Sequence, residues 1–161
     1  MQTSLPSAAI FVDVQNMYYT CRDAFNRQFN YRLLWQTLSS EYQISHAFAY
    51  AIESQNDGQH KFQSALRHMG FTVRLKPFIQ RKDGSAKGDW DVGITLDVIE
   101  LADTVEHIFL LSGDGDFDLL LQRVTERSDA KTHVIGVESL TATSLINQCH
   151  EFHPVTQNML L

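Results

Sequence analysis

The amino-acid sequence predicts an α/β fold in which a mostly parallel, five-stranded sheet is covered by helices on both faces. Apolar runs of the kind found in strands alternate with segments of helical periodicity, in the order βααβαβαβαβα. Strands that alternate with helices form parallel sheets with right-handed crossovers. The length of 161 residues and the hydrophobic content of 43% suit one domain with a full core better than two. Residues 1–161 are therefore predicted to form a single domain.

The five predicted strands are short runs of apolar residues, bounded by turn residues or by helical segments. In chain order they cover residues 8–14, 44–52, 71–77, 107–111 and 131–137. The third run alternates apolar and basic residues, as a strand near the edge of a sheet does. Residues 154–161 are assigned to no element.

The helices between the strands are predicted from apolar residues that recur at helical spacing and from capping residues. In chain order they cover residues 17–29, 33–41, 60–69 and 89–103, a segment that begins near Phe117, and residues 141–149. Asn16 is a good N-cap for the first of them. The fourth is expected to bury an apolar side made of Val92, Leu96, Ile99 and Ala102, which Val98 and Leu101 broaden.

The net charge of -6 is distributed unevenly along the chain. Residues 61–87 contain seven Lys or Arg and one acid, whereas residues 89–118 contain nine acids and no Lys or Arg. This asymmetry suggests a basic surface beside an acidic pocket, although two ordinary solvated faces give the same pattern. Residues 81–88 form the most polar and flexible loop expected in the chain, and three of its basic residues could hold a nucleic-acid backbone: Arg81, Lys82 and Lys87.

Composition favours a cytoplasmic protein. The two cysteines, Cys21 and Cys149, have neither metal-type nor redox-type spacing, which fits a reducing compartment. No apolar run approaches the length of a membrane span, and the apolar run at residues 8–12 has no basic residue before it, unlike a signal peptide. The sequence therefore predicts no membrane association. A homodimer is compatible with it.

Acidic residues stand where predicted strands pass into helices. Asp13 ends the first strand, Asp114 and Asp116 follow the fourth, and Asp91 lies near the start of the helix at 89–103. Ligands bind at the carboxyl ends of the strands in open parallel sheets. If the fourth strand lies beside the first, Asp13 would be a neighbour of the later pair.

Carboxylates brought together in this way need cations or raised pKa values, because each close pair costs on the order of a few kcal/mol. Groups with oxygen ligands alone favour Mg²⁺ or Mn²⁺, the ions of metal-assisted phosphoryl transfer. A simpler interpretation is that Asp114 and Asp116 only cap a helix. Asp97 falls on a different helical face from Asp91 and is therefore a second-tier candidate.

Three short motifs, in this order and spacing, resemble the NYN domain, a branch of the PIN-like nuclease superfamily, and in particular its bacterial LabA-like group. They are residues 11–16, residues 87–92 with Asp97, and residues 112–117. The resemblance covers about residues 8–150. It implies a Rossmann-like three-layer fold with strand order 3-2-1-4-5 and a metal-dependent ribonuclease site.

The resemblance also implies which residues form that site. Asp13, Asp91, Asp114 and Asp116 match the family's catalytic, metal-binding acids. Asn16 and Ser112 match the polar residues beside them and are predicted to bind substrate. The pair Asp89-Trp90 departs from the family pattern, which often has a single apolar residue before the aspartate. Either Asp89 or Asp91 could thus face the metal, and Asp91 is preferred because it keeps Asp97 in the family phase.

The leading hypothesis is a Mg²⁺- or Mn²⁺-dependent ribonuclease that hydrolyses phosphodiester bonds of single-stranded RNA with a metal-activated water. Tyr18 or Tyr19 could stack a base, although buried packing is the commoner use of such residues. An alternative is a non-catalytic RNA-binding or regulatory module that retains the acidic pocket. A third candidate is a metal-dependent phosphoester hydrolase that acts on a small nucleotide.

Overall fold

Six parallel strands form one sheet at the centre of the molecule. The computed structural model describes residues 4–53, 56–76, 79–80, 86–87 and 89–161. The strands are β1 (Ser7–Asp13), β2 (Gln43–Ile52), β3 (Thr72–Lys76), β4 (His107–Leu111), β5 (Lys131–Gly136) and β6 (Glu151–Pro154). Their spatial order is β3-β2-β1-β4-β5-β6, and every neighbouring pair is parallel. The expected order 3-2-1-4-5 is confirmed for the first five strands.

The expectation of five strands is wrong, because β6 extends the sheet beyond β5. Its four residues include Glu151 and His153, so it lacks the apolar run by which the other strands were identified. The backbone of β6 nevertheless pairs with β5 from His133 to Gly136. A separate antiparallel pair of two-residue strands joins Ile79–Gln80 to Ala86–Lys87.

Helices cover both faces of the sheet. They are α1 (Val14–Phe25), α2 (Tyr31–Glu41), α3 (Asp57–Met69), α4 (Asp91–Leu101), α5 (Asp118–Arg127) and α6 (Thr143–Gln148). Alternate residues of β1 enter two different cores: Ile10 and Val12 pack with the residues of α1 to α3, and Phe11 packs with those of α4 to α6. The three-layer α/β architecture follows from this alternation. None of the described helices is long and apolar enough to cross a membrane.

Helix α1 begins three residues earlier than the sequence predicts. Its N-cap is Asp13 and not Asn16, because the Asp13 carboxylate accepts a hydrogen bond from the Asn16 N–H at 3.3 Å. The helix ends at Phe25, and Asn26 then adopts a left-handed conformation with φ 53°. Beginning the helix immediately after β1 fixes the Asp13 side chain at the edge of the sheet.

The predicted buried side of α4 is wrong for three of its four residues. Val92, Leu96 and Ile99 are exposed, with exposed fractions of 69%, 62% and 48%, and only Ala102 is buried as expected. Val98, which was expected to broaden that side, is fully buried, and so is Ile94, which was not assigned to it. The helix carries apolar residues on nearly all sides, so periodicity alone does not select the side that meets the sheet.

Candidate metal-binding site at the carboxyl edge of the sheet

The candidate site lies where β1 and β4 end side by side. The two strands are parallel neighbours, and Val12 is paired with Leu111. The next residues, Asp13 and Ser112, therefore face each other across this edge, and the Ser112 hydroxyl donates a hydrogen bond to the Asp13 carboxylate at 3.2 Å. The structure thus brings the acid of the first motif against the third motif.

Asp13 is buried, with only 8% of its surface exposed. Burial raises the pKa of Asp13 to about 6, because the charged form loses hydration, while hydrogen bonds from the Asn16 backbone and the Ser112 hydroxyl partly oppose that increase. The nearby charges of Asp114 and Asp89 raise the pKa further. No Lys, Arg or His is ion-paired with Asp13 in the part of the chain that is described.

A tight loop after β4 carries the second set of acids. The Asn16 side-chain oxygen accepts a hydrogen bond from the Gly113 N–H at 2.8 Å, and the Asp114 N–H donates to the Ser112 hydroxyl oxygen at 3.2 Å. Asp114 in turn accepts from the Asp116 N–H at 2.9 Å and caps a short 3₁₀ turn. These bonds fix the loop in one conformation.

Glycine is required at position 113 for a steric reason. A Cβ atom there would lie 2.8 Å from the carbonyl oxygen of Leu140, which belongs to the segment that crosses behind the loop. The Ala142 N–H also donates to the Gly113 carbonyl at 3.1 Å. Residues 140–142 therefore support the acidic loop from behind, a role that no motif in the sequence indicated.

Three carboxylates converge in front of this loop. Oxygens of Asp91, Asp114 and Asp116 all lie within 4.8 Å of one another. The pKa of Asp91 is raised to about 7, chiefly by burial. The charges of Asp114 and Asp89 and a hydrogen bond with Asp114 add to this increase. Asp13 adds a smaller increase through its charge. All four acids therefore share one electrostatic environment.

Trp90 positions Asp91 at the start of α4. Its indole N–H donates to the Ala51 carbonyl at 2.8 Å, and its ring packs 5.3 Å from the Tyr50 ring. A Cβ atom at position 93 would lie 2.6 Å from the Trp90 ring, so Gly93 gives the ring its space. The tryptophan that departs from the family pattern thus anchors the helix start to β2.

The second-tier acids lie outside the group of three. Asp97 accepts a hydrogen bond from the Tyr50 hydroxyl at 2.7 Å and forms an ion pair with Arg74 at 3.4 Å. The Asp89 side chain is exposed, and its charge contributes to the raised pKa values of Asp13 and Asp91. Asp97 therefore supports β2 and β3.

The basic residues expected at the site are outside what the structure describes. Arg81 and Lys82 lie outside the described residues, and Lys87 is described only in its backbone, within the short pair with Ile79. The mobile loop expected at residues 81–88 lies mostly outside them as well.

Asp91, Asp114 and Asp116 match the requirements of a hard divalent cation. All side-chain donors in the group are carboxylate oxygens, the ligands that Mg²⁺ and Mn²⁺ prefer. Within residues 4–53, 56–76 and 89–161, no basic side chain forms an ion pair with Asp91, Asp114 or Asp116. A cation would compensate the charges of Asp114 and Asp89, which add to the effect of burial in raising the pKa of Asp91.

A groove of about 1090 Å³ lies beside the Asp13 end of α1 and includes Val14 and Gln15 in its wall. Tyr18 and Tyr19 also line it and are 43% and 45% exposed, so the expectation of buried packing is wrong for both. The Arg22 guanidinium lies over both rings, at 5.4 and 5.0 Å from their centroids. Sequence reasoning missed this groove, because its walls come from α1, the end of β2 and α3.

The comparisons with known proteins agree with the fold and with the motifs. The family model described as the NYN domain matches residues 7–157. Low amplitude and bright protein LabA of Synechococcus elongatus is 27% identical over 147 residues, which are 86% of this chain and 78% of that protein. A crystal structure of a protein of unknown function from Vibrio parahaemolyticus has a TM-score of 0.93 and 49% identity, with 100% of both chains covered. The resemblance to the LabA-like group is confirmed, and the chain belongs to the NYN domain family.

Proposed function

We propose that this protein is a divalent-metal-dependent ribonuclease whose metal is held by Asp91, Asp114 and Asp116, with Asp13 as the fourth acid of the site. The observation that carries the proposal is the convergence of these carboxylates without basic partners among the described residues. The NYN domain is a PIN-like nuclease family, which supports the same reaction class. Mg²⁺ and Mn²⁺ are the ions that such a donor set favours.

A bound divalent ion would supply two things to phosphodiester hydrolysis, a lowered pKa for water and compensation of the negative charge that develops on the phosphate. The chain's own residues supply the rest. Asp13, with its pKa raised to about 6, is suited to accept a proton from an attacking water near neutral pH. Ser112 and the Asn16 backbone hold its carboxylate in place for that transfer.

The substrate in this proposal is single-stranded RNA. The half-exposed rings of Tyr18 and Tyr19 line the groove beside Asp13 and offer surfaces on which bases can stack. Asn16 and Ser112 orient the acidic loop, and Lys87, Arg81 and Lys82 are proposed to contact the phosphate backbone. Cytoplasmic location and a homodimer stay predictions, and sedimentation of the purified protein would test the second.

A non-catalytic RNA-binding or regulatory module is the second candidate, and a specific observation favours it. Asp13 caps α1 and Asp114 caps the 3₁₀ turn, so each carboxylate already has a structural use. Under this alternative the protein binds RNA or a cation without cleaving RNA.

The deciding experiment is cleavage of end-labelled single-stranded RNA in Mn²⁺, with and without chelator. Asp114→Asn is compared with the wild type, and Asp118→Asn serves as a matched control, because Asp118 begins α5 in the same stretch but lies outside the group of three. We expect cleavage by the wild type and by Asp118→Asn only, and none with chelator.

Parallel reactions with DNA and with a small nucleotide ester would separate a ribonuclease from other phosphoester hydrolases. An inert wild type that still binds RNA would support the binding module. Equal cleavage by Asp114→Asn would remove the proposed site.

A further inference from the structure

A second cluster of ligating side chains lies on β4, β5 and β6 and shares no residue with the acidic group. Phe109, His133 and Glu151 are paired neighbours on the three strands and therefore share one face of the sheet. Alternate residues of a strand share a face, so His107 and His153 lie on it as well. The rings are packed closely: Phe109 stacks on His133 at 4.2 Å, and His153 stacks on His133 at 5.2 Å. The proposed nuclease reaction gives these residues no role.

Three histidines form a continuous chain of ring contacts. Nδ1 of His107 lies 2.9 Å from Nε2 of His133, and Nδ1 of His133 lies 3.0 Å from Nε2 of His153. His133 is only 4% exposed.

A neutral His133 has one N–H and one free lone pair. When Nε2 carries the proton, it donates to Nδ1 of His107, and Nδ1 of His133 accepts a hydrogen bond from Nε2–H of His153. An ion bound between the two nitrogens would replace that hydrogen bond, with the His153 proton on Nδ1 instead of Nε2. This is the arrangement of metal-binding histidines, whose second nitrogen usually donates a hydrogen bond that fixes the tautomer. His107 is thus placed to orient His133.

The three facing atoms have the spacing of ligands around a single ion. Nδ1 of His133 lies 3.0 Å from Nε2 of His153 and 3.5 Å from a Glu151 carboxylate oxygen, and the last two atoms are 4.0 Å apart. The nearest point equidistant from three atoms with these separations lies in their plane, about 2.1 Å from each, and this distance is the usual length of a Zn–N or Zn–O bond.

We propose that His133, His153 and Glu151 form a binding site for a borderline divalent metal ion such as Zn²⁺, Co²⁺ or Ni²⁺. His107 acts as a positioning residue that holds the His133 tautomer. Two imidazoles and one carboxylate suit these ions, whereas the acidic group offers only the oxygen ligands of Mg²⁺ and Mn²⁺. Glu151 is 62% exposed and His153 35% exposed at their side chains, so an ion can enter from solvent.

A metal ion at this site would stabilise the pairing of β6 with β5. Strand β6 has four residues and pairs with β5 alone, so few backbone hydrogen bonds hold it. An ion joined to His133 of β5 and to two residues of β6 adds a crosslink between the strands. Binding to the folded state alone raises stability.

The test uses the full-length protein without a polyhistidine tag. Binding of Zn²⁺ is measured by calorimetry, Co²⁺ is followed by its visible absorption, and the thermal midpoint is recorded with Zn²⁺ and with Mg²⁺. The variants are His153→Gln and Glu151→Gln, both at partly exposed positions that folding tolerates, and His107→Phe. His68→Gln is the matched control, since His68 is an exposed histidine on α3.

We expect one Zn²⁺ per chain and a thermal midpoint that rises with Zn²⁺ but not with Mg²⁺. Loss of a ligand in His153→Gln or Glu151→Gln should weaken Zn²⁺ binding by about 100-fold or more, and His107→Phe by about 10- to 100-fold. His68→Gln should bind as the wild type does.

Asp114→Asn completes the set, because Zn²⁺ could also enter the acidic group. The histidine site requires that this variant keep the Zn²⁺ affinity of the wild type, whatever its effect on RNA cleavage. If Asp114→Asn loses Zn²⁺ and His153→Gln retains it, the ion belongs to the acidic group and the histidine site is wrong. A wild type without measurable Zn²⁺ binding would also overturn it, and neither result depends on the nuclease proposal.

Discussion

Asp13 illustrates how a single buried carboxylate can oppose folding. Its pKa is raised from 3.8 to about 6, so the protonated form is favoured in the folded chain. The stability that protonated Asp13 contributes is therefore fully present below the unfolded pKa. It is lost as the pH rises through the folded pKa. In the metal-free protein the free-energy cost of ionising the buried Asp13 develops as the pH rises from 3.8 to about 6, and it persists at higher pH.

Asp13→Asn should remove this penalty. Asn keeps the N-cap of α1, because its side-chain oxygen can accept from the Asn16 N–H as Asp13 does. We expect the variant to be more stable than the wild type by about 1–3 kcal/mol at about pH 8, and equal to it at about pH 4. Urea denaturation in chelator across this pH range measures the difference. A gain of equal size at both pH values would contradict the buried-charge explanation.

Asp91 predicts how metal binding depends on pH. A proton and a cation compete for this carboxylate, whose pKa is raised to about 7, chiefly by burial and by the Asp114 charge. Below that value the apparent Mn²⁺ affinity should fall by up to about tenfold per pH unit, and above it the affinity should level off. Calorimetric titration at several pH values measures the profile. A flat profile would show that Asp91 does not bind the ion.

Residues also show the limit of prediction from spacing. Asn16 was expected to cap α1, but its side chain instead accepts the Gly113 N–H, 97 positions later in the chain. The side chain of Asn can serve either purpose, and only the adjacency of β1 and β4 decides between them. The roles of neighbouring polar groups therefore depend on tertiary contacts that no local pattern contains.

At the scale of elements, α4 shows why periodicity can select the wrong side of a helix. Ile94 and Val98 meet the sheet, while Val92, Leu96 and Ile99 face outward. The side chain of Trp90, bonded to Ala51, sets the rotation of the helix about its axis. The spacing of apolar residues carries no information about such a hydrogen bond, so it could not predict the orientation of α4.

Paired alanine substitutions on α4 test this orientation. Ile94 is fully buried, so Ile94→Ala should cost about 2–5 kcal/mol of unfolding free energy through lost burial and a cavity. Leu96 is 62% exposed, so Leu96→Ala should change stability by no more than about 0.5 kcal/mol. Chemical denaturation of both variants gives the comparison. Equal costs would mean that α4 is rotated from the orientation described.

The first five strands were predictable from the sequence pattern, and the resemblance to the NYN domain implied their order, whereas β6 was not predicted. The five strands are apolar runs separated by helical segments, and the chain's alternation fixes a parallel sheet. Strand β6 is held by backbone pairing with β5, and its side chains include Glu151 and His153. Backbone pairing does not depend on which side chains are apolar. An edge strand of polar residues therefore cannot be recognised from the hydrophobic pattern of the sequence.

At the scale of the whole molecule, the acidic site occupies the point where the strand order reverses. From β1 the chain adds β2 and β3 on one side, and it then returns to place β4 on the other. The helices that follow β1 and β4 lie on opposite faces, which opens a crevice between their first turns. The strand order is therefore enough to predict that acids from three distant motifs lie close together. The groove beside them could be found only in the structure.

Under the proposed ribonuclease function, the groove is expected to bind the RNA and the acids to cleave it. Tyr18→Ala and Tyr19→Ala should each raise KM for single-stranded RNA by about 5- to 150-fold, because each stacked base contributes about 1–3 kcal/mol. The value of kcat should change little, since neither ring belongs to the group of acids. Tyr18→Phe keeps the ring and should retain the wild-type KM, which separates stacking from loss of the hydroxyl. Steady-state kinetics in Mn²⁺ measure both constants, and a fall in kcat with unchanged KM would place the tyrosines in catalysis and leave base binding to another surface.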